Sequence, residues 1–319
     1  MRLLMMGTGP FAVPIFRMLH ETGHTVVALV TSPVRTHRGK PVAPISSIRD
    51  IAKAHGEPIF DPEDINTPES LAELAKYDAD LLVVCDYGQI LSPAALAAAH
   101  RGGINLHASL LPKYRGAAPI NWAIFHGETE TGVTVIGMTA GLDAGPCLGQ
   151  TAVPIAPDET AADVECRLAE IGARLVCETI DRMASGDSRP IPQDSALACL
   201  APRLKKTDGA IDWSRSAEAI KNQIRAMEPW PKTYTFWHRA DGPAVRLILG
   251  PASVAACDVS HVKPGTIMEA SGGRLAIAAS ENAVLPTRIQ PSGKRELSIE
   301  EFLHGYHVRP GDRFGEESI

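Results

Sequence analysis

The sequence predicts an α/β protein in two parts, a doubly wound, mostly parallel sheet followed by a small antiparallel β-barrel. Three observations carry this reading. The 319-residue length is about twice the ~150 residues of a typical domain. The first half alternates apolar runs of strand length with helical patterns, as βαβ units do. From Thr233 onward the segments are short, rich in Val, Ile, Thr and aromatic residues, and separated by Gly and Pro, which is the pattern of a small barrel.

In chain order, Arg2 to Met6, Thr25 to Thr31, Asp80 to Cys85 and Gly103 to His107 read as buried strands. Helices are predicted between them at Pro14 to Glu21, Ser47 to His55, Pro68 to Lys76 and Pro93 to His100. Two more strands are expected at Gly132 to Met138 and Leu148 to Ile155. A long helical pattern follows from Thr160 to Met183, with Thr160 and Asp163 at its start and Gly186 just past its end, as capping rules require. The first domain is thus expected to span residues 1–187. From 188 to 207 the periodicity is lost among Pro190, Pro192 and Pro202 and the basic run Arg203-Leu204-Lys205-Lys206, a linker expected to cross the surface. One helix, Ser214 to Met227, then precedes the barrel segments of residues 208–319.

Composition narrows the function classes. Hydrophobic residues make up 45% and charged residues 21%, which excludes general disorder. Apolar runs such as Leu81 to Cys85 are far shorter than the ~20 residues of a membrane span. With no signal-peptide pattern at the start, a cytoplasmic setting is expected. The six cysteines lack Cys-x-x-Cys spacing, so reduced thiols are expected and a metal site is not. A net charge of −6 gives no overall basic field, so any contact with nucleic acid has to be local.

Gly7-Thr8-Gly9-Pro10-Phe11-Ala12 fits the G-x-G-x-x-A fingerprint of dinucleotide-binding turns. That fingerprint also needs an acid at the end of the second strand, to hold a ribose hydroxyl. Here the strand ends Leu29-Val30-Thr31-Ser32. No nicotinamide is therefore expected, and glycines that merely permit a tight turn account for the pattern equally well.

The most informative stretch runs from Gly103 to Gly116. Asn105 and His107 are two apart on a predicted strand, so their side chains share a face. They also sit at the strand's carboxyl end, where open α/β sheets bind ligands. An amide beside an imidazole suits acyl or formyl transfer through a tetrahedral intermediate, the amide stabilising the oxyanion and the imidazole moving protons. Asp143, in the glycine-framed turn Gly141-Leu142-Asp143-Ala144-Gly145, is placed to orient that imidazole. A satisfied strand-end histidine is the plainer alternative. Ser109 raises a Ser-His-Asp hydrolase, but the chain has no G-x-S-x-G elbow to expose it.

These residues lie in longer motifs: Asn-x-His-x-Ser-Leu-Leu-Pro from Asn105 to Pro112, Arg-Gly-x-Ala-Pro from Arg115 to Pro119, and Gly-Leu-Asp-x-Gly from Gly141 to Gly145. With them the sequence resembles the 10-formyltetrahydrofolate-dependent formyltransferases, most closely the branch that acts on methionyl initiator tRNA. Asp208 to Ser214, Pro229-Trp230-Pro231, Gln290 to Lys294 and Arg309 to Arg313 extend the resemblance over nearly the whole chain.

The resemblance implies a Rossmann-like catalytic domain over 1–187, a linker over 188–207 and an OB-like, tRNA-binding barrel over 208–319. It implies Asn105, His107 and Asp143 as the catalytic trio, and Ser109, Leu110, Leu111 and Pro112 as the folate site. It implies Arg35, Arg38 and Lys40, in a basic loop after the second strand, and Lys205 and Lys206 of the linker as tRNA contacts, with Lys221, Arg225, Lys294 and Arg295 extending that surface. The formyl group of 10-formyltetrahydrofolate would pass to the amino group of methionine esterified to initiator tRNA, in a monomer needing no metal. Gly9-Pro10 in the first turn, Asp86 after the third long strand and Pro146 after the aspartate turn depart from the family pattern and bear on the folate contacts. An amino sugar nucleotide as acceptor, and a noncatalytic RNA- or folate-binding module, remain alternatives.

Overall fold

The computed structural model describes residues 1–34, 36–37, 40–41, 47–239 and 242–317. They form two compact units. The first comprises Met1–Pro119, Glu130–Pro154 and Glu165–Pro202; the second comprises Ile120–Thr129, Ile155–Val164 and the chain from Arg203 onward.

Unit 1 is built on seven strands: β1 (Arg2–Gly7), β2 (Thr25–Val30), β3 (Ile59–Phe60), β4 (Leu81–Cys85), β5 (Gly103–His107), β6 (Glu130–Gly137) and β7 (Cys147–Pro154). Their order is β7-β6-β5-β4-β1-β2-β3. Neighbours from β3 to β5 are parallel, and β6 and β7 close one edge antiparallel. Leu3, Leu4, Met5 and Met6 of β1 and all of β4 are buried, as expected where helices cover both faces. The antiparallel pairing of β7 with β6 follows from chain length, because residues 138–146 hold no helix and are too few for a crossover. At two residues, β3 is too short to show a sequence pattern.

Helices α1 (Val13–Leu19), α2 (Ser47–His55), α3 (Pro68–Lys76), α4 (Pro93–Leu96) and, from Glu165 on, α6 (Ala161–Ser185) accompany the strands, whereas α5 (Pro119–Phe125) lies almost wholly in unit 2. The helix predicted from Pro93 to His100 stops at Leu96, because its last residues continue as i+3 turns and Gly102, at φ +69°, redirects the chain into β5. At Gly172 the helix α6 approaches β5 so closely that a Cβ there would meet the Leu106 side chain.

Residues 190–200, expected as a linker over the surface, are mostly exposed yet belong to unit 1, held there at two places. Ile191 forms a paired antiparallel bridge with Cys147. Leu200–Ala201 runs parallel to Arg115–Gly116.

In unit 2, α7 (Ala217–Ala226), capped by the Ser216 side chain, and α8 (Ile299–Gly305), opened by a Ser298/Glu301 capping box, accompany two antiparallel sheets. One contains Thr233–His238, Val245–Leu249, Arg288–Pro291, Leu297–Ser298 and Arg313–Gly315; the other contains Ala252–Ala255, Ile267–Ser271, Arg274–Ala278 and Ala283–Pro286. The antiparallel pair formed by residues 245–255 and 283–291 passes from one sheet into the other. At the opposite edges Ile267 and Phe314 donate to Asp312 and Gly265 across a Thr266–Arg313 bridge. The ladder therefore closes into a barrel around Trp213, Trp237, Phe302 and Phe314. Among the described residues no helix is long and apolar enough to cross a membrane.

Candidate active site

Strand β5 delivers Asn105 and His107 to the carboxyl edge of the sheet. Its register against β4 and β6 sets Asn105 beside Val84 and Ile136, and His107 beside Thr134. Period-two alternation then sends both side chains to one face. His107 is 5% exposed, whereas Asn105 is half-buried. The Asn105 amide has no hydrogen-bond partner among the described residues and remains free to donate.

Both nitrogens of His107 have defined surroundings. Nε2 lies 2.8 Å from the Tyr114 carbonyl oxygen, so it carries a hydrogen and donates, which assigns the tautomer. Nδ1 lies 3.6 Å from Asp143 Oδ2, too long for a hydrogen bond but close enough for a carboxylate to stabilise an imidazolium. The chain reaches this arrangement through a left-handed residue, Tyr114 at φ +61°, which turns its carbonyl back toward the ring.

Asp143 is itself left-handed, at φ +45°, as short polar side chains tolerate. Its Oδ2 accepts the Gly116 N–H at 2.9 Å. Gly116 has φ +123°, and a Cβ there would lie 2.6 Å from the Ala201 carbonyl oxygen. Only glycine fits between the aspartate and residues 200–201.

The segment Ser109 to Pro112 is held rigidly. Thr134, buried on β6, donates through Oγ1 to the Ser109 carbonyl at 2.6 Å and accepts from the Leu111 N–H at 3.2 Å. Gln150 of β7 donates to the Leu111 carbonyl at 3.0 Å and to Thr134 Oγ1 at 2.9 Å. Ser109 is fully buried and donates to the Lys113 carbonyl at 2.6 Å, so its hydroxyl is not poised as a nucleophile beside His107. Leu111 and Pro112, joined by a cis peptide bond, line one wall of a cavity of about 240 Å³ that also touches Cys147, Gln150, Ile191 and Gln193.

The first glycine turn offers no phosphate cradle. The N–H groups of Thr8 and Gly9 donate to the Asp86 carbonyl at 3.0 and 3.4 Å. A Cβ on Gly9 would run into the Asp86 carboxylate. Solvent reaches Asp86, yet the protein crowded round it and the charge of Glu165 push its carboxyl up to about 6.

Of the residues expected at the tRNA, Arg35 and Arg38 lie outside the described residues. Lys40 opens a two-residue strand, Lys40–Pro41, paired with Thr36–His37. Lys205 and Lys206 are exposed at the start of unit 2, where Asp208 accepts the Lys205 N–H at 2.6 Å. Three cations expected to broaden the basic face are compensated within unit 2. Lys221 pairs with Asp158 at 2.7 Å, Arg295 with Glu301 at 2.8 Å, and Arg225 donates to the carbonyls of Ala156 and Glu159. The sequence showed the charges but not the acids that fold beside them.

Sequence reasoning missed Tyr114, Thr134, Gln150 and Gln193 as parts of the site. Thr134 alternates with core residues on a predicted strand and so was locatable. Gln193 sits between prolines in a stretch without periodicity and gave no signal.

A free amide, an imidazole and a carboxylate at the carboxyl edge of a doubly wound sheet are a set of groups that suits group transfer. The formyl transferase family model matches residues 1–180, and the model of the formyl transferase C-terminal domain matches residues 203–307; the chain belongs to that family. Methionyl-tRNA formyltransferase of Citrifermentans bemidjiense is 42% identical over 318 residues, covering 99% of this chain and 97% of the relative. The enzyme of the same description from Symbiobacterium thermophilum is 41% identical over 316 residues, covering 98% and 95%. In fold, the chain is similar to an N-formyltransferase from Helicobacter canadensis in complex with folinic acid and dTDP-3-aminofucose, with a TM-score of 0.66 at 17% identity over 91% of this chain and 98% of that one. It is also similar to HypX from Aquifex aeolicus in complex with tetrahydrofolic acid, with a TM-score of 0.61 at 17% identity over 95% of this chain and 46% of that one.

Proposed function

We propose that the chain transfers the formyl group of 10-formyltetrahydrofolate to the α-amino group of methionyl initiator tRNA. The observation that carries this reading is the free Asn105 amide beside a His107 whose Nδ1 faces a carboxylate. Relatives about 40% identical over nearly the whole chain support methionyl-tRNA as the acceptor.

The attacking amine has a pKa near ~8 as a free α-amino group, so a useful fraction is neutral at pH 7 and no strong base is needed. Attack of its nitrogen on the formyl carbon forms the new C–N bond and moves charge onto the formyl oxygen. Asn105 donates to that oxygen; one such donor typically lowers a barrier by about 3 kcal/mol or more. His107 takes the amine proton at Nδ1, the Nε2 bond to Tyr114 keeping the ring in the accepting tautomer, and Asp143 stabilises the imidazolium. The same proton then passes to N10 as the C–N10 bond breaks, so the products are the formamide and tetrahydrofolate. Leu110, Leu111 and Pro112 form the wall for the donor, with the buried Ser109 fixing their turn, and Arg35, Arg38, Lys40, Lys205 and Lys206 contact the tRNA.

The test is formylation of methionyl initiator tRNA by the purified protein with 10-formyltetrahydrofolate, run beside free methionine, methionyl elongator tRNA and an amino sugar nucleotide. Selective formylation of the initiator species is expected. Formylation of the sugar alone would retain the chemistry and overturn the acceptor, and transfer to none would leave a binding module.

A further inference from the structure

Gln193 makes four hydrogen bonds, all of them to the aspartate turn or to the chain that faces it. Its Nε2 donates to the Asp143 carbonyl at 2.7 Å and to the Gly145 carbonyl at 2.8 Å. Its Oε1 accepts from Arg115 twice, at 3.1 Å from Nε and 2.6 Å from a terminal nitrogen. That exhausts the two donors and two lone pairs of a primary amide. The orientation of the amide is fixed as well, since a guanidinium has no acceptor and two carbonyls have no donor.

These bonds complete a ring. Gly116 N–H holds the Asp143 carboxylate, Gln193 holds the carbonyl of the same residue, Arg115 holds Gln193, and Arg115 and Gly116 are adjacent in the chain. Gln193 stands two residues after the Ile191–Cys147 bridge and before the Leu200–Arg115 pairing, so its own backbone is anchored on both sides. Between Ile191 and Leu200 the side chains are exposed apart from those of Gln193 and Ala198.

The ring fixes the distance that matters. A separation of 3.6 Å between Asp143 Oδ2 and His107 Nδ1 is sensitive to any rotation of a turn whose central residue is left-handed. Gln193 clamps the carbonyls on either side of Ala144 and so removes that rotation. We propose that Gln193 is a positioning residue for the transfer reaction, acting through the Asp143 turn to hold the carboxylate against His107. The proposal rests on the assignment of Asn105, His107 and Asp143 made above.

Gln193→Ala removes both donors. Gln193→Glu keeps the size and the Arg115 pairing but turns a carboxylate oxygen toward two carbonyls. Steady-state kinetics at pH 8 with 10-formyltetrahydrofolate and methionyl initiator tRNA are expected to show kcat lowered roughly ten- to a hundredfold in both variants, as misplacement of a group by about an ångström does. The loss should fall on kcat more than on the KM for the folate, although Gln193 also touches the cavity walled by Leu111 and Pro112, and both variants should retain a cooperative melting transition. On an Asp143→Asn background, Gln193→Ala should change kcat by less than about twofold, because the carboxylate that it positions is gone. Wild-type kcat in Gln193→Glu would overturn the proposal, and so would an undiminished effect of Gln193→Ala on the Asp143→Asn background. Wild-type turnover by Asp143→Asn alone would instead overturn the underlying assignment of the trio.

Discussion

Two glycine-bearing turns leave the carboxyl edge of the same sheet, and they differ in where their polar groups point. After β1, the N–H groups of Thr8 and Gly9 are consumed by the Asp86 carbonyl, and the Asp86 carboxylate fills the space over Gly9. After β5, the backbone is satisfied internally through Thr134, Gln150 and Lys113, while the Asn105 amide has no partner among the described residues and His107 Nδ1 faces Asp143. The first turn matches a cofactor fingerprint letter by letter, yet the N–H groups of Thr8 and Gly9 are already bonded within the protein. What separates a site from a motif here is the destination of each hydrogen-bonding group, a complete accounting that spacing cannot supply.

The largest effect that sharpens this contrast is expected at β5. Asn105→Ala and His107→Ala should each lower kcat by roughly two to three orders of magnitude, as loss of an oxyanion donor or a proton-transfer group does, with tRNA binding by filter assay unchanged. Normal turnover in either variant would place the chemistry elsewhere.

Next in size is Gly116→Ala. The added Cβ meets the Ala201 carbonyl at 2.6 Å in a left-handed conformation, and a cost of about 1 to 3 kcal/mol is expected from strain of that kind. Urea unfolding monitors it, and an unchanged midpoint would show that residues 200–201 do not crowd this glycine.

A smaller effect probes the first turn. Gly9→Ala drives a Cβ into the Asp86 carboxylate and should destabilise by about 1 kcal/mol, whereas on an Asp86→Ala background the same change should cost little, since residues in contact couple. A double-mutant cycle that proves additive would separate Gly9 from Asp86.

The smallest effect is a pH dependence. The Asp86 carboxyl, pushed up to about 6 by the protein crowded round it and by Glu165, binds its proton more tightly in the folded than in the unfolded chain. Its contribution to stability is therefore complete below about pH 4 and lost as pH rises through about 6. Asp86→Asn lacks this loss, so its melting temperature should exceed that of the wild type at pH 8, with the gap narrowing on descent to pH 4.5. A gap that does not vary with pH would assign no role to the carboxylate charge.

Much of this arrangement is legible in the residues themselves. The apolar runs of β1, β4 and β5 give the parallel sheet, and Asn105 and His107 share a face simply because strands have a period of two. Asp143 is marked by its glycines. Three other features escaped, each for a physical reason. Ile59–Phe60 is too short to hold a pattern. Residues 190–201 have the prolines and polarity of a free linker, and only tertiary pairing with Cys147 and Arg115 reveals what they hold. The compensation of Lys221, Arg225 and Arg295 depends on acids and carbonyls brought near by folding.

The pairing of Leu200–Ala201 with Arg115–Gly116 has a consequence for synthesis of the chain. Asn105, His107, Asp143 and the Gly116 N–H that holds its carboxylate have all been translated by the end of α6, but the bonds to the Asp143 and Gly145 carbonyls await Gln193, and the strand that encloses Gly116 awaits Ala201. On the proposed role of Gln193, alignment of the trio is thus completed only in the last dozen or so residues before unit 2 resumes at Arg203. A nascent or truncated chain ending at Ser185 would carry the whole trio and lack its alignment.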